Sequence, residues 1–184
     1  MHTKEQYQSE IDKVISFLSE GKFQIALEKI LDLSEKFPDD SLIYNIVGAC
    51  YAGQGNLDSA IKNYQKAIEI NPKYAKAHYN LADAYHQQSK YDESINSYKN
   101  SLEIDPNYPE AHNNLGNVFR ETGALNEAKH FYESALQINP KYIEANYGLG
   151  IVFHELGELN LMIEQLELVL NLQPSLAEVH NRIG

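Results

Sequence analysis

The sequence predicts an all-α solenoid of antiparallel helix pairs, and its internal period predicts it most directly. Pro38, Pro72, Pro106, Pro140 and Pro174 fall 34 residues apart without a slip. Around each proline the same columns of small and apolar residues return at helical spacing. Halfway through each period stands a turn residue, Gly21, Gly55, Ser89, Gly123 or Gly157. Self-similarity at a fixed spacing of this size marks a stack of small units, each burying its apolar face against the next.

The first helix of each unit carries the pairs Val47-Gly48, Leu81-Ala82, Leu115-Gly116 and Leu149-Gly150, followed by Tyr51, Tyr85, Phe119 and Phe153. Residues one turn apart share a helix face, so a large, a small and an aromatic side chain meet one neighbour, and the small one lets it approach closely. The turn column tolerates positive φ and lets the chain reverse. The second helix repeats Ala26, Ala60, Ser94, Ala128 and Met162, then Ile30, Tyr64, Tyr98, Tyr132 and Leu166, then Leu33, Ala67, Ser101, Ala135 and Val169. It closes on Ile70, Ile104, Ile138 or Leu172 with a proline two residues on, which cannot continue a helix and restricts the residue before it.

This layout resembles the tetratricopeptide repeat (TPR), with its bulky residue, Leu-Gly, aromatic, alanine, aromatic and proline columns. The resemblance covers residues 8 to 184 and implies a single TPR solenoid domain, superhelical with a concave groove. Its repeats are expected at about 8–40, 41–74, 75–108, 109–142 and 143–176, with part of a sixth at 177–184. In the first repeat Ile11, Val14, Ile15 and Leu18 keep helical spacing but sit one residue late, which predicts a turn one residue shorter before Gly21. The in-register alternative would leave Ile11, Ile15 and Leu18 open, wasting roughly 1.5–3 kcal/mol per side chain. His180, Ile183 and Gly184 begin a sixth first helix without a polar cap, the pattern of a piece cut from a longer protein.

Composition narrows the function classes. With 43% hydrophobic and 22% charged residues the chain is ordinary globular material, and no apolar run reaches the roughly 18 residues of a membrane span. The polar start, Met1 to Glu10, lacks a signal core, so the cytoplasm is expected. A net charge of -11, with Arg120 and Arg182 as the arginines, argues against nucleic acid, which needs clustered cations. The single Cys50 shares a column with Ala84, Val118 and Val152 and reads as a packed hydrophobe.

In the TPR family the first helices line the concave side, so their non-core columns are the candidate groove. These are Asn45, then Lys76, Tyr79, Asn80, Asp83, His86 and Gln87 in the third repeat. The fourth gives Glu110, Asn113, Asn114, Asn117, Arg120 and Glu121, and the fifth Glu144, Tyr147, Ile151, His154 and Glu155. The surface is polar, aromatic and net acidic. A carboxamide offers one acceptor and two donor hydrogens, which match the amides of an extended peptide. Asn80 and Asn114 occupy the column that, in the O-linked N-acetylglucosamine transferases and related bacterial TPR proteins this segment resembles, carries a peptide-gripping asparagine ladder. Ile46 and Gly148 interrupt it, and drift of exposed positions to asparagine is the alternative reading. The TPR subclass that clamps a chaperone's C-terminal carboxylate needs basic residues where this chain has Asn45, Glu110 and Asn114, so a neutral or basic protein segment is the expected partner.

His86 and His154 share a groove column two repeats apart, too far to chelate one metal, and His78, His112 and His180 fall in a packing column. Zinc-protease, phosphate-loop and nucleophile-elbow motifs are absent, so no cofactor, metal or catalysis is expected. Leu161 and Leu168 replace polar residues on one face of the fifth repeat's second helix and suggest a contact with a second copy or a further domain, alongside the uncapped C-terminal face. The leading expectation is a module that binds a peptide or protein segment in the groove. The alternatives are the substrate-recruiting arm of a larger glycosyl- or sulfotransferase-like enzyme, and a self-assembling TPR scaffold.

Overall fold

The structure is a computed structural model and describes residues 4–175. Those residues form helices and short connections with no strand. The chain divides into two compact units that part between Ile104 and Asp105. The first holds α1 (Lys4–Ser19), α2 (Phe23–Lys36), α3 (Ser41–Gly53), α4 (Leu57–Ile70), α5 (Ala75–Gln87) and α6 (Tyr91–Ile104). The second holds α7 (Pro109–Glu121), α8 (Leu125–Ile138), α9 (Ile143–Glu155) and α10 (Leu159–Leu172). His180, Ile183 and Gly184, the basis of the expected sixth repeat, lie outside the described residues.

Each first helix ends in the same backbone motif. The amide of Asn56 donates to Tyr51 O at 2.9 Å and that of Gly55 to Ala52 O at 2.9 Å, so the last carbonyls are satisfied while Gly55 takes φ +76°. The same pair closes α5, where Ser89 sits at φ 57° and is the one non-glycine left-handed residue among those described. A side chain in that region carries a steric penalty that glycine avoids.

The first repeat departs from the expected shorter turn. Lys22 N donates to Phe17 O at 2.8 Å and Gly21 N to Leu18 O at 3.0 Å, the same motif in the same 34-residue register. Ile11 and Val14 are each 1% exposed, but Ile15 is 48% exposed and Leu18 half-buried, so the apolar set does not bury as a whole. The physical reason is exchange of volume between columns. Val14 takes the small-residue position and faces Ile30, where the next repeat sets Gly48 against Tyr64. A Cβ on Gly48 would lie 2.5 Å from the Tyr64 ring, so a larger residue there requires a smaller one on the second helix.

The second-helix columns form the cores. Ala26, Ile30 and Leu33 on α2, Ala60, Tyr64 and Ala67 on α4, and Ala128, Tyr132 and Ala135 on α8 are all buried. On α6 the column residues Ser94 and Ser101 are buried too, and their hydroxyls are satisfied by Ala82 O and Ala75 O, each at 2.9 Å. Cys50 is fully buried among Ile43, Val47 and their neighbours, and burial pushes its thiol up to about 11.

The connections between repeats use their own polar residues. Asn71, Asp105 and Asn139, each just before a proline, accept from the amide two residues on at 3.1–3.2 Å, an Asx-turn. One packing column then clasps the proline carbonyl from the following helix. His78 Nε2 lies 3.0 Å from Pro72 O, His112 Nε2 3.0 Å from Pro106 O, and Asn146 Nδ2 donates to Pro140 O at 3.2 Å. Burial holds the His112 imidazole below its ordinary range, with the Pro106 carbonyl opposing and His130 adding to the depression.

Candidate functional site

In the first unit the candidate residues of α3 and α5 are tied to one another. Asn45 is buried, and its Oδ1 accepts from Asn80 Nδ2 at 2.8 Å. Tyr74, just before α5, also hydrogen-bonds Asn45, although burial keeps its phenol above the ordinary range. Asn45 is therefore a support beneath the surface, and half-buried Asn80 is the member nearer solvent. Lys76 places its ammonium 4.4 Å from the centre of the Tyr79 ring, which meets Tyr98 edge-on at 5.8 Å. Asp83 takes the Tyr98 hydroxyl at 3.5 Å and the Gln87 amide at 2.8 Å, and His86 packs against Tyr91.

The second unit gathers its candidates into a cleft of about 380 Å³ between α7 and α9. From α7 come Asn113, Asn114, Asn117 and Arg120. The facing wall is Tyr147, Gly148 and Ile151 of α9, and Tyr142 and Glu144 complete the lining. Asn113 is only 4% exposed and donates through Nδ2 to Asn114 Oδ1 at 3.0 Å. Arg120 Nη1 lies 3.7 Å from Glu155 Oε1, a loose and partly solvated pair. Glu110 is exposed on the first turn of α7 and His154 on the last turn of α9.

Tyr132 is buried beneath this cleft and packs against residues that line it. Its ring rises from α8 between two glycines: a Cβ at Gly116 of α7 would sit 3.0 Å from it, and one at Gly148 of α9 2.6 Å. Its hydroxyl then donates to Asn117 Oδ1 at 2.6 Å. Gly148 stands in the asparagine column, so the interruption there is steric: no side chain fits beside that ring. Ile46, the other interruption, belongs to the first core with Ile11 and Val14. Sequence reasoning missed Tyr132 as the support beneath the site and Tyr142 as part of its lining. The flanking glycines 116 and 148 were the available signal for the former.

Leu161 and Leu168 on α10 are each 40% exposed, with Met162 buried against α9 rather than beside them. Among the described residues no group of three or more His, Cys, Asp or Glu side chains could hold a metal ion. No helix among them is long and apolar enough to cross a membrane.

The repeat unit itself decides the family. Models described as "TPR repeat" match residues 48–89, 82–123 and 116–157, and one described as "Tetratricopeptide repeat" matches residues 143–176. The chain belongs to the tetratricopeptide-repeat family. This TPR chain is similar to the peroxisomal targeting signal receptor of Kluyveromyces lactis, 32% identical over 66 residues, which is 36% of this chain and 12% of the receptor. It thus spans a small part of that relative's length. Among solved structures it resembles pilF of Pseudomonas aeruginosa, with TM-score 0.86, 18% identity, and 94% of this chain and 78% of that one covered. It also resembles YrrB, described as a TPR protein with an unusual peptide-binding site, with TM-score 0.75, 17% identity and coverage of 94% and 89%. At these identities the structures speak for the fold.

Proposed function

We propose that this TPR chain is a protein–protein interaction module that holds a peptide or protein segment against its first helices, centred on the cleft between α7 and α9. The observation that carries this reading is the convergence of three asparagines and Arg120 from α7 on the tyrosines and Ile151 of the opposite wall. Carboxamides and the lining rings of Tyr142 and Tyr147 hold main chain and side chain together, whereas nothing in the cleft pairs an activated nucleophile with a base. Names given to the relatives, a targeting-signal receptor and a TPR protein with a peptide-binding site, support the same reading. The partner is a neutral or basic segment, because the chain carries a net charge of -11 and Glu110, Glu144 and Glu155 are exposed around the cleft. Asn80 and Asn114 keep the ladder positions shared with O-linked N-acetylglucosamine transferases, so recruitment of a substrate chain to a linked enzyme is a use of the same surface. We assign the module to the cytoplasm, with neither nucleic acid nor membrane as its target.

Self-association is the second reading, favoured by the exposed Leu161 and Leu168 on one face of α10.

Selection of peptides from a random display library on the intact chain, followed by calorimetry, tests the first reading. Asn80→Ala with Asn114→Ala weakens the selected peptides by roughly tenfold or more while leaving the melting temperature within a few degrees. Unchanged affinity would remove the asparagines from the function.

A further inference from the structure

We propose that the α7–α9 cleft takes an amide group, which donates its N–H to Asn113 Oδ1 and accepts through its carbonyl from Arg120 Nε. This deepens the peptide-binding reading and rests on it. Asn113 is 96% buried by its 4% exposure, its Nδ2 is engaged with Asn114, and its Oδ1 has no hydrogen-bond partner among the described residues. Arg120 Nε is likewise buried without a partner, while Nη1 faces Glu155 at 3.7 Å. Buried polar atoms are almost always satisfied, so one missing donor and one missing acceptor on the wall of the same cleft call for a complementary ligand.

Both residues lie on α7 seven positions apart, two turns along one helix face. An amide supplies what each lacks, a donor N–H at one end and an acceptor carbonyl at the other. An ammonium offers donors only and would approach the Arg120 guanidinium. A carboxylate offers acceptors only and would meet Asn113 Oδ1 and the nearby Glu144. Both atoms are buried on residues that line the cleft, so the ligand reaches them as the surrounding side chains shift. Tyr147, Gly148 and Ile151 of α9 line the cleft across from them.

The amide has two sources, a main-chain peptide unit or an Asn or Gln side chain. Titration of the ¹⁵N-labelled chain with the blocked tripeptides acetyl-Ala-X-Ala-N-methylamide, X being Ala, Gln, Lys or Glu, separates them. The Arg120 Nε–H and Asn113 Nδ2 resonances are read directly. Shifts of both with every peptide assign the main chain, and shifts with the Gln peptide alone assign the side chain. Asn113→Leu and, independently, Arg120→Lys weaken the binding roughly tenfold with unchanged helical circular dichroism. Response to the Lys or Glu peptide alone, or no movement of the two resonances with any peptide up to its solubility limit, overturns the inference. Movement confined to other residues of α7 and α9 ends the amide assignment and leaves groove binding standing, whereas silence throughout α5, α7 and α9 counts against both.

Discussion

Replacing Gly148 with alanine tests the packing on which the cleft is built. An alanine in place of glycine inside a helix normally stabilises by about 1 kcal/mol. Here the new Cβ would stand 2.6 Å from Cε1 and Cζ of Tyr132, and the ring has little room on its other side, where a Cβ on Gly116 would lie 3.0 Å from it. Overpacking of this kind costs up to about 3 kcal/mol, so the net effect expected is a loss of about 2 kcal/mol. In a Tyr132→Leu background, which copies the residue the fifth repeat has at this column, the obstacle is gone and the same alanine gains about 1 kcal/mol. The four chains of this double-mutant cycle are compared by urea unfolding followed by circular dichroism, with hydrogen exchange of α9 as a local readout, since repeat proteins need not unfold in one step. A Gly148→Ala substitution that stabilises the parent chain, or costs the same in both backgrounds, would falsify the steric account of the interrupted asparagine column.

Two other consequences are independent of the cleft. Ser89 occupies a left-handed position at φ 57° where the equivalent residues are glycines, so Ser89→Gly raises stability by roughly 0.5–1 kcal/mol in chemical denaturation; a loss would show that its backbone is not strained. Because burial depresses the folded-state pKa of His112, the unfolded chain binds its proton first as pH falls. The stability this group contributes is therefore complete above its ordinary value and is lost as pH drops through the depressed folded value. His112→Asn, which places at this column the residue the fifth repeat already uses on Pro140, flattens the decline between neutral and mildly acidic pH relative to the parent; parallel curves for both chains would contradict it.

The period and the columns made most of the helical architecture legible, since each column reports a local volume that any one repeat must satisfy. The glycine turn, the buried alanines and the proline breaks all follow from single positions and their spacing. The first repeat was harder to read because its compensation is pairwise: Val14 is admissible only against Ile30, and neither residue signals this alone. The candidate site was legible as a set of helix faces but not as contacts. Asn45 and Asn113 sit in groove columns and yet turn inward, because each finds a second asparagine on its own or the next first helix. Tyr132 belongs by sequence to a core column and is fully buried, but its hydroxyl reaches Asn117 past the two glycines.

Site-specific photocross-linking tests the central claim most directly. A benzophenone side chain is placed in turn at Ile151 in the cleft wall and at Ser134 on the second helix α8, and each chain is exposed to a display-selected peptide. The account predicts a covalent adduct from position 151 that excess unlabelled peptide abolishes, and none from position 134. Equal capture at both positions, or capture at 134 alone, would place the bound segment off the first helices and contradict it.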